Sequence, residues 1–169
     1  MTWLTNIGNQ FYETMIVDDR YLQILWGLGN TLIITVCAIL LGIVIGTLVA
    51  MVKARVFAPK NPVVKGIFKV LDVICSLYLT VIRGTPMILQ LMIMYYIILI
   101  NISNGVVVAC IAFGINSGAY VAEVVRTGIL SVDKGQMEAG RSLGLTQTTT
   151  MFKIIFPQAL KNVLPALGN

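Results

Sequence analysis

Few side chains in this sequence could do covalent or acid–base chemistry. The three cysteines, Cys37, Cys75 and Cys110, lie far apart in apolar or helical sequence, and there is no CxxC and no histidine to complete a metal site. They read as inert packing residues. With no histidine, no Gly-rich phosphate loop and no nucleophile elbow, the sequence offers no constellation for catalysis. What remains is a set of polar groups in apolar surroundings. Asn116, Tyr120, Glu123 and Thr127 fall at i, i+4, i+7 and i+11, on one face of a helix. Polar groups are costly in hydrocarbon and point into a bundle or a wet cavity, so the chemistry they suggest is passage or binding. Glu123 has a second reading as the partner of Arg126 at i+3, near an interface. Gln90, in another apolar run, either faces the same path or bonds a neighbouring helix.

A second polar stretch, residues 135–157, reads GQMEAGRSLGLTQTTTMFKIIFP. Residues 136–143 suit a short helix with Glu138 in its first turn, where a carboxylate complements the positive helix end. Gly144 can take the left-handed C-cap conformation, Thr146 can N-cap a second helix over residues 147–156, and Pro157 follows. The spacing of Ala139, Leu143, Gly144, Thr146 and Gln147 also fits a DNA-binding helix-turn-helix. The second helix, however, carries only Lys153 as a basic residue, too few phosphate contacts for a DNA reader.

Glu138-Ala139-Gly140, then Gly144 and Leu145, then Ile155-Phe156-Pro157 resemble the EAA signature of ABC-importer permeases. Gly140 stands where a second Ala is usual, and Phe156 where Leu is usual. The resemblance implies that this helix pair is a cytoplasmic coupling element that docks on an ATPase subunit, with Glu138, Ala139, Gly140, Gly144, Leu145 and Pro157 as its marking residues. RGTPMILQLM, from Arg83, resembles the RGTP-x-x-x-Q segment of polar-amino-acid permeases. SGAYVAEVVRTGI, from Ser117, resembles the segment that precedes their coupling loop. By that resemblance Gln90, Asn116, Ser117, Tyr120 and Glu123 are candidates for the substrate pathway.

The elements that must position these groups are membrane helices. Hydrophobic residues make up 57% of the 169 and charged residues 11%, where a soluble domain carries about 25% charged. The net charge of +5 reports topology, because the positive residues gather in two inter-helix stretches. Residues 1–20 carry Glu13, Asp18 and Asp19 against one basic residue, so they lack the n-region of a cleaved signal peptide. They read as an extracytoplasmic, interfacial N-terminus whose aromatic residues mark the water–hydrocarbon boundary. No charge occurs over residues 21–52, long enough for a first transmembrane helix. In it Ala38, Gly42, Gly46 and Ala50 form a stripe of small residues that lets another helix approach closely, here read as generic helix packing.

Lys53, Arg55, Lys60, Lys65 and Lys69 follow with no intervening acid, and Pro59 and Pro62 break any helix between them. This loop is cytoplasmic by the positive-inside rule. The apolar run over 70–82 is too short to cross before Arg83, so it lies at the interface or packs on neighbouring helices, and residues 86–100 form the next crossing. A polar turn at 101–105 is an outer hairpin. Residues 106–130 then return the chain to the side of the Lys-rich loop, where Arg126, Lys134, Arg141, Lys153 and Lys161 also cluster.

The sequence therefore predicts an all-α integral membrane protein, a permease core over residues 21–169. It has three complete transmembrane helices, a coupling helix-turn-helix and the start of a fourth core helix, which Pro165 and Gly168 leave short or broken. The family continues through the rest of that helix and a fifth, so the sequence looks incomplete at its C-terminus. The implied function is the permease subunit of an importer for polar amino acids in a bacterial cell membrane, multi-pass with its N-terminus outside. It would pair with a second permease subunit, two ATPase subunits that hold ATP and Mg, and an extracytoplasmic solute-binding protein, surrounded by lipid and with no nucleic acid. A secondary transporter or channel subunit without an ATPase is the alternative.

Overall fold

The computed structural model describes residues 2–17, 19–56 and 61–167, and every regular element among them is helical. Helix α1 spans Thr2–Tyr12 and continues as a π turn over Glu13–Val17. Helix α2 spans Arg20–Lys53 and α3 Pro62–Gly84; α4 spans Met87–Ile93 and ends in a π turn over Met94–Ile98. Helix α5 spans Gly105–Ser131, α6 Lys134–Ser142 and α7 Gln147–Thr150. A π turn over Met151–Ile155 leads into α8, Phe156–Leu167.

Helix α2 is built the reverse way from a helix of a soluble protein. Its buried residues are the small ones, Ala38, Gly42, Gly46 and Ala50, while Leu40, Val44 and Leu48 are exposed. That arrangement is favourable only where the surroundings are as apolar as leucine, so that close backbone packing decides which face turns inward. The stripe has a definite partner, α5. A Cβ placed on Gly46 would stand 2.6 Å from the Val121 side chain, and one on Gly42 would stand 2.8 Å from Ser117 Cβ. Leu41 fits over Gly114 and Ile45 over Gly118. Contacts rise together along both chains, so α2 and α5 run parallel, and the segment between them must carry the chain back.

That return differs in detail from the sequence expectation. Helix α3 does not begin at residue 70; Asn61 accepts a bond from Val63 N at 2.9 Å and Pro62 occupies the first turn, where its missing N–H costs nothing. Lys53 at the end of α2 reaches Asp72 at 2.9 Å and Ser76 Oγ at 2.9 Å, fastening α3 to α2. Leu79 packs on Ala119 and Ala122 of α5, so this helix packs on its neighbours as one of the two expected readings had it. After the break at Pro86, α4 runs antiparallel to α5, with Gln90 bonded to Asn116 and Tyr95 beside Gly105. Among the described residues two helices, Arg20–Lys53 and Gly105–Ser131, are long and apolar enough to cross a membrane; the expected third crossing is the shorter apolar helix Met87–Ile98.

One further expectation is corrected. Pro157 does not end the second coupling helix: the chain turns through the π segment and continues into α8, whose helix also contains Pro165. Proline lacks an N–H and its ring crowds the carbonyl four residues back, and a locally wider turn relieves both. The N-terminal stretch, for which the sequence suggested only an interfacial position, forms helix α1. Pro59, Lys60 and Gly168 lie outside the described residues.

Candidate functional site

The helix pair of residues 134–157 is fixed by a chain of caps. Asp133 accepts a bond from Gly135 N at 2.6 Å, so α6 starts at Lys134 and not at Gln136. Glu138 therefore sits mid-helix, outside the first turn, and Asp133 is the carboxylate at the positive end. Gly144 has φ +83°. Its N–H bonds to Arg141 O at 3.0 Å and that of Leu145 bonds to Gly140 O at 3.1 Å, the paired bonds of a glycine-terminated helix. Thr146 then caps the second helix, its Oγ1 accepting from Thr149 N at 3.1 Å.

Underneath, Val56, Ile129, Met151, Ile155 and Ala159 form a cluster against which Met137 and Val132 pack. The element is thus seated on the ends of α2 and α5. Outward face Glu138, Ala139, Arg141, Ser142, Leu143 and Gly144, all exposed, while Leu145 is half-buried and Pro157 exposed. Leu143 is 79% exposed, a large apolar side chain on a polar element.

Gly140 is buried between the two helices. A Cβ there would lie 2.5 Å from Thr150 Cγ2 and 2.8 Å from its Oγ1. The glycine that departs from the usual Ala is therefore matched to a threonine that is fully buried. Gly140→Ala should destabilise the protein by about 1–3 kcal/mol through overpacking. Thr150→Ala in the same chain should restore most of it, because Thr146 O, the acceptor of Thr150 Oγ1, also receives Thr150 N at 2.9 Å and is not orphaned. Thermal unfolding of both variants in detergent checks this; an unchanged midpoint for Gly140→Ala would show that the two helices can separate freely.

The second group lies where α3, α4 and α5 meet. Arg126 Nη2 donates to Glu123 Oε1 at 2.8 Å, and Arg83 Nη1 approaches Glu123 Oε2 at 3.5 Å. The Arg83 guanidinium also stands 5.8 Å from the centroid of the Tyr120 ring, within cation–π range. Glu123 thus has both the expected partner and a second from across the bundle. Gln90 is occupied with the helix break. Its Nε2 donates to Ile82 O at 2.7 Å, Thr85 O at 3.1 Å and Thr85 Oγ1 at 2.7 Å, while its Oε1 accepts from Asn116 Nδ2 at 3.0 Å. Ile82 O and Thr85 O are carbonyls that the interrupted helix leaves without backbone donors. Tyr78 OH, which sequence reasoning did not single out, donates to Ile115 O at 2.6 Å and ties α3 to the same region.

Two groups result: Gln90 is bonded to Asn116, and Tyr120 and Glu123 are joined through Arg83, with Arg126 also on Glu123. Ser117 is not with them, because its Cβ faces Gly42 on the α2 seam. A groove of about 250 Å³ between α5 and α8 runs from Glu123 past Thr127 and Ser131 to Asn162, whose Nδ2 donates to Ser131 Oγ at 2.9 Å. Gly128, also unforeseen, lets α8 approach, since a Cβ there would overlap Val163. Its only sequence signal is that a glycine repeats in α5 at 114, 118 and 128.

These features define a helical membrane protein with a capped helix pair and a group of polar side chains between its helices. Residues 63–169 match the family described as binding-protein-dependent transport system inner membrane component, and the chain belongs to that family. It is 42% identical over 153 residues to the glutamine transport system permease protein GlnP of Rickettsia prowazekii, covering 89% of this chain and 65% of that one. It is 34% identical over 170 residues to the L-cystine transport system permease protein TcyB of Bacillus subtilis, covering 99% and 70%. A crystal structure of an amino acid ABC transporter with histidines superposes with TM-score 0.66 and 39% identity, over 80% of this chain and 59% of that one. The chain thus spans somewhat under two thirds of the Rickettsia relative's length.

Proposed function

We propose that the chain acts in the permease subunit of an ATP-driven importer for polar amino acids. The observation that carries this is the outward face of α6 with Leu143 at its tip, on an element seated through Met137, Met151 and Ile155 on the ends of α2 and α5. A push on that face cannot be absorbed locally and is passed to the membrane helices as a rigid-body displacement. ATP and Mg are held by partner ATPase subunits. A second permease subunit completes the pathway, and a solute-binding protein delivers substrate from outside. The relatives' systems, named for glutamine and L-cystine, support an amino acid as cargo.

The orientation that this requires puts residues 53–62 and 132–157 in the cytoplasm of a bacterial cell and the N-terminus outside. In a background without cysteines, Glu138→Cys should be shielded from an impermeant thiol reagent added outside intact cells, while Ser103→Cys reacts. Both positions are exposed on the protein surface, so the difference reads sidedness. Labelling of position 138 from outside would overturn the orientation and the coupling role together.

A further inference from the structure

The α2–α5 seam holds two cysteines whose sequence positions give no hint of proximity. Leu41 rests over Gly114 and Ile45 over Gly118, a register that advances by one helical turn on each chain. One turn back on both helices stand Cys37 and Cys110. That register sets the two thiols opposite each other across the seam, close enough to interact. Both are free, Cys37 on the exposed side of the seam and Cys110 half-buried. Helices held at glycine-contact distance place opposed Cα atoms within the span that a disulfide bridges, since its Cα separation is commonly about 5.5–6 Å.

We propose that Cys37 and Cys110 are an oxidisable thiol pair, a site at which an intramolecular disulfide staples α2 to α5. Cys110 lies in the second turn of α5, near the end that follows the 101–104 turn, so the staple would form towards the extracytoplasmic side of the bilayer. The oxidant is a diffusible disulfide or an equivalent two-electron acceptor. Cys37, the more exposed thiol, loses its proton and attacks one sulfur of the oxidant, giving a mixed disulfide and releasing one thiolate. Cys110 then loses its proton and attacks the Cys37 sulfur, forming the Cys37–Cys110 bond and releasing the second thiolate. Two protons and two electrons leave the pair, and the oxidant is reduced to two thiols. Cys75, on α3, is not opposite either and stays reduced.

The test uses the unaltered chain in membranes and does not depend on the transport reading. Membranes are treated with diamide, which crosses the bilayer, then denatured and alkylated with a polyethylene-glycol maleimide that adds visible mass per free thiol. Untreated protein should carry three adducts and oxidised protein one, with the three restored by dithiothreitol. Peptide mass spectrometry of the oxidised sample should show the segment with Cys37 linked to that with Cys110. Cys37→Ser and Cys110→Ser should each carry two adducts with or without diamide. Three adducts persisting after diamide, a link to Cys75, or a disulfide-joined dimer through Cys37 would each overturn the proposal.

Discussion

Glu123→Gln should be the most damaging single substitution in the polar cluster. The change keeps the shape of the side chain but leaves Arg126 at 2.8 Å and Arg83 at 3.5 Å facing a neutral amide. Removing one partner of a desolvated ion pair costs about 3–5 kcal/mol when burial is complete. The Glu123 side chain is 30% exposed and Arg126 32%, so the expected cost lies below that range, about 1–3 kcal/mol. Arg83→Gln should be milder, because Arg83 is 43% exposed and Glu123 keeps Arg126. Thermal unfolding in lipid nanodiscs gives the order, with Glu123→Gln lowest, Arg83→Gln intermediate and the parent highest. Equal midpoints for Glu123→Gln and the parent would mean that water or lipid headgroups already neutralise both arginines.

Gly46→Val should prevent α2 and α5 from closing. Even the first carbon of the new side chain would lie 2.6 Å from the Val121 side chain and 2.9 Å from the backbone nitrogen of Ala122. A side chain can rotate away, but the α5 backbone can only move as a helix. The whole seam, including the fit of Leu41 on Gly114, must then open. Overpacking typically costs about 1–3 kcal/mol, and a clash with backbone lies at or above the upper end. The expected result is strong loss of folded protein in the membrane. Gly27→Val is the matched control, since a Cβ on Gly27 meets nothing within 4 Å and the position lies on the same helix. Comparable yields of the two variants, measured by fluorescence-detected size exclusion, would show that the seam is not tight.

Much of this was readable beforehand, for reasons that differ from residue to residue. The span of α2 follows from an uncharged run, and the turn at Gly144 from glycine between two capping signals; both are local. The stripe at Ala38, Gly42, Gly46 and Ala50 showed that a helix would pack there but not which one. Its partner in α5 is named only by tertiary contact. The start of α3 was misplaced because Lys65 and Lys69 interrupt the apolar pattern before residue 70, although Asn61-Pro62 is an ordinary helix start. Gln90 left two readings open, since its bonds depend on the carbonyls that the break at Pro86 frees. Pro157 was read as a stop because the rule for proline is local, whereas the π turn that accommodates it is not visible in the pattern. Cys37 and Cys110 were read as inert, and Gly140 showed only as a departure from the usual Ala, because each is defined by a neighbour on another helix.

Site-specific photo-crosslinking from position 143 tests the coupling role most directly. Leu143 is replaced by a photoreactive amino acid and irradiated in the native membrane with all partner subunits present. Because this side chain is exposed at the tip of α6, the substitution should leave the rest of the chain undisturbed. The predicted result is a single major adduct with a nucleotide-binding ATPase subunit, absent when the probe is moved to the buried Met151. Adducts with lipid alone, or none with a nucleotide-binding protein while uptake proceeds, would contradict the proposal that residues 134–157 are the element through which ATP hydrolysis drives transport.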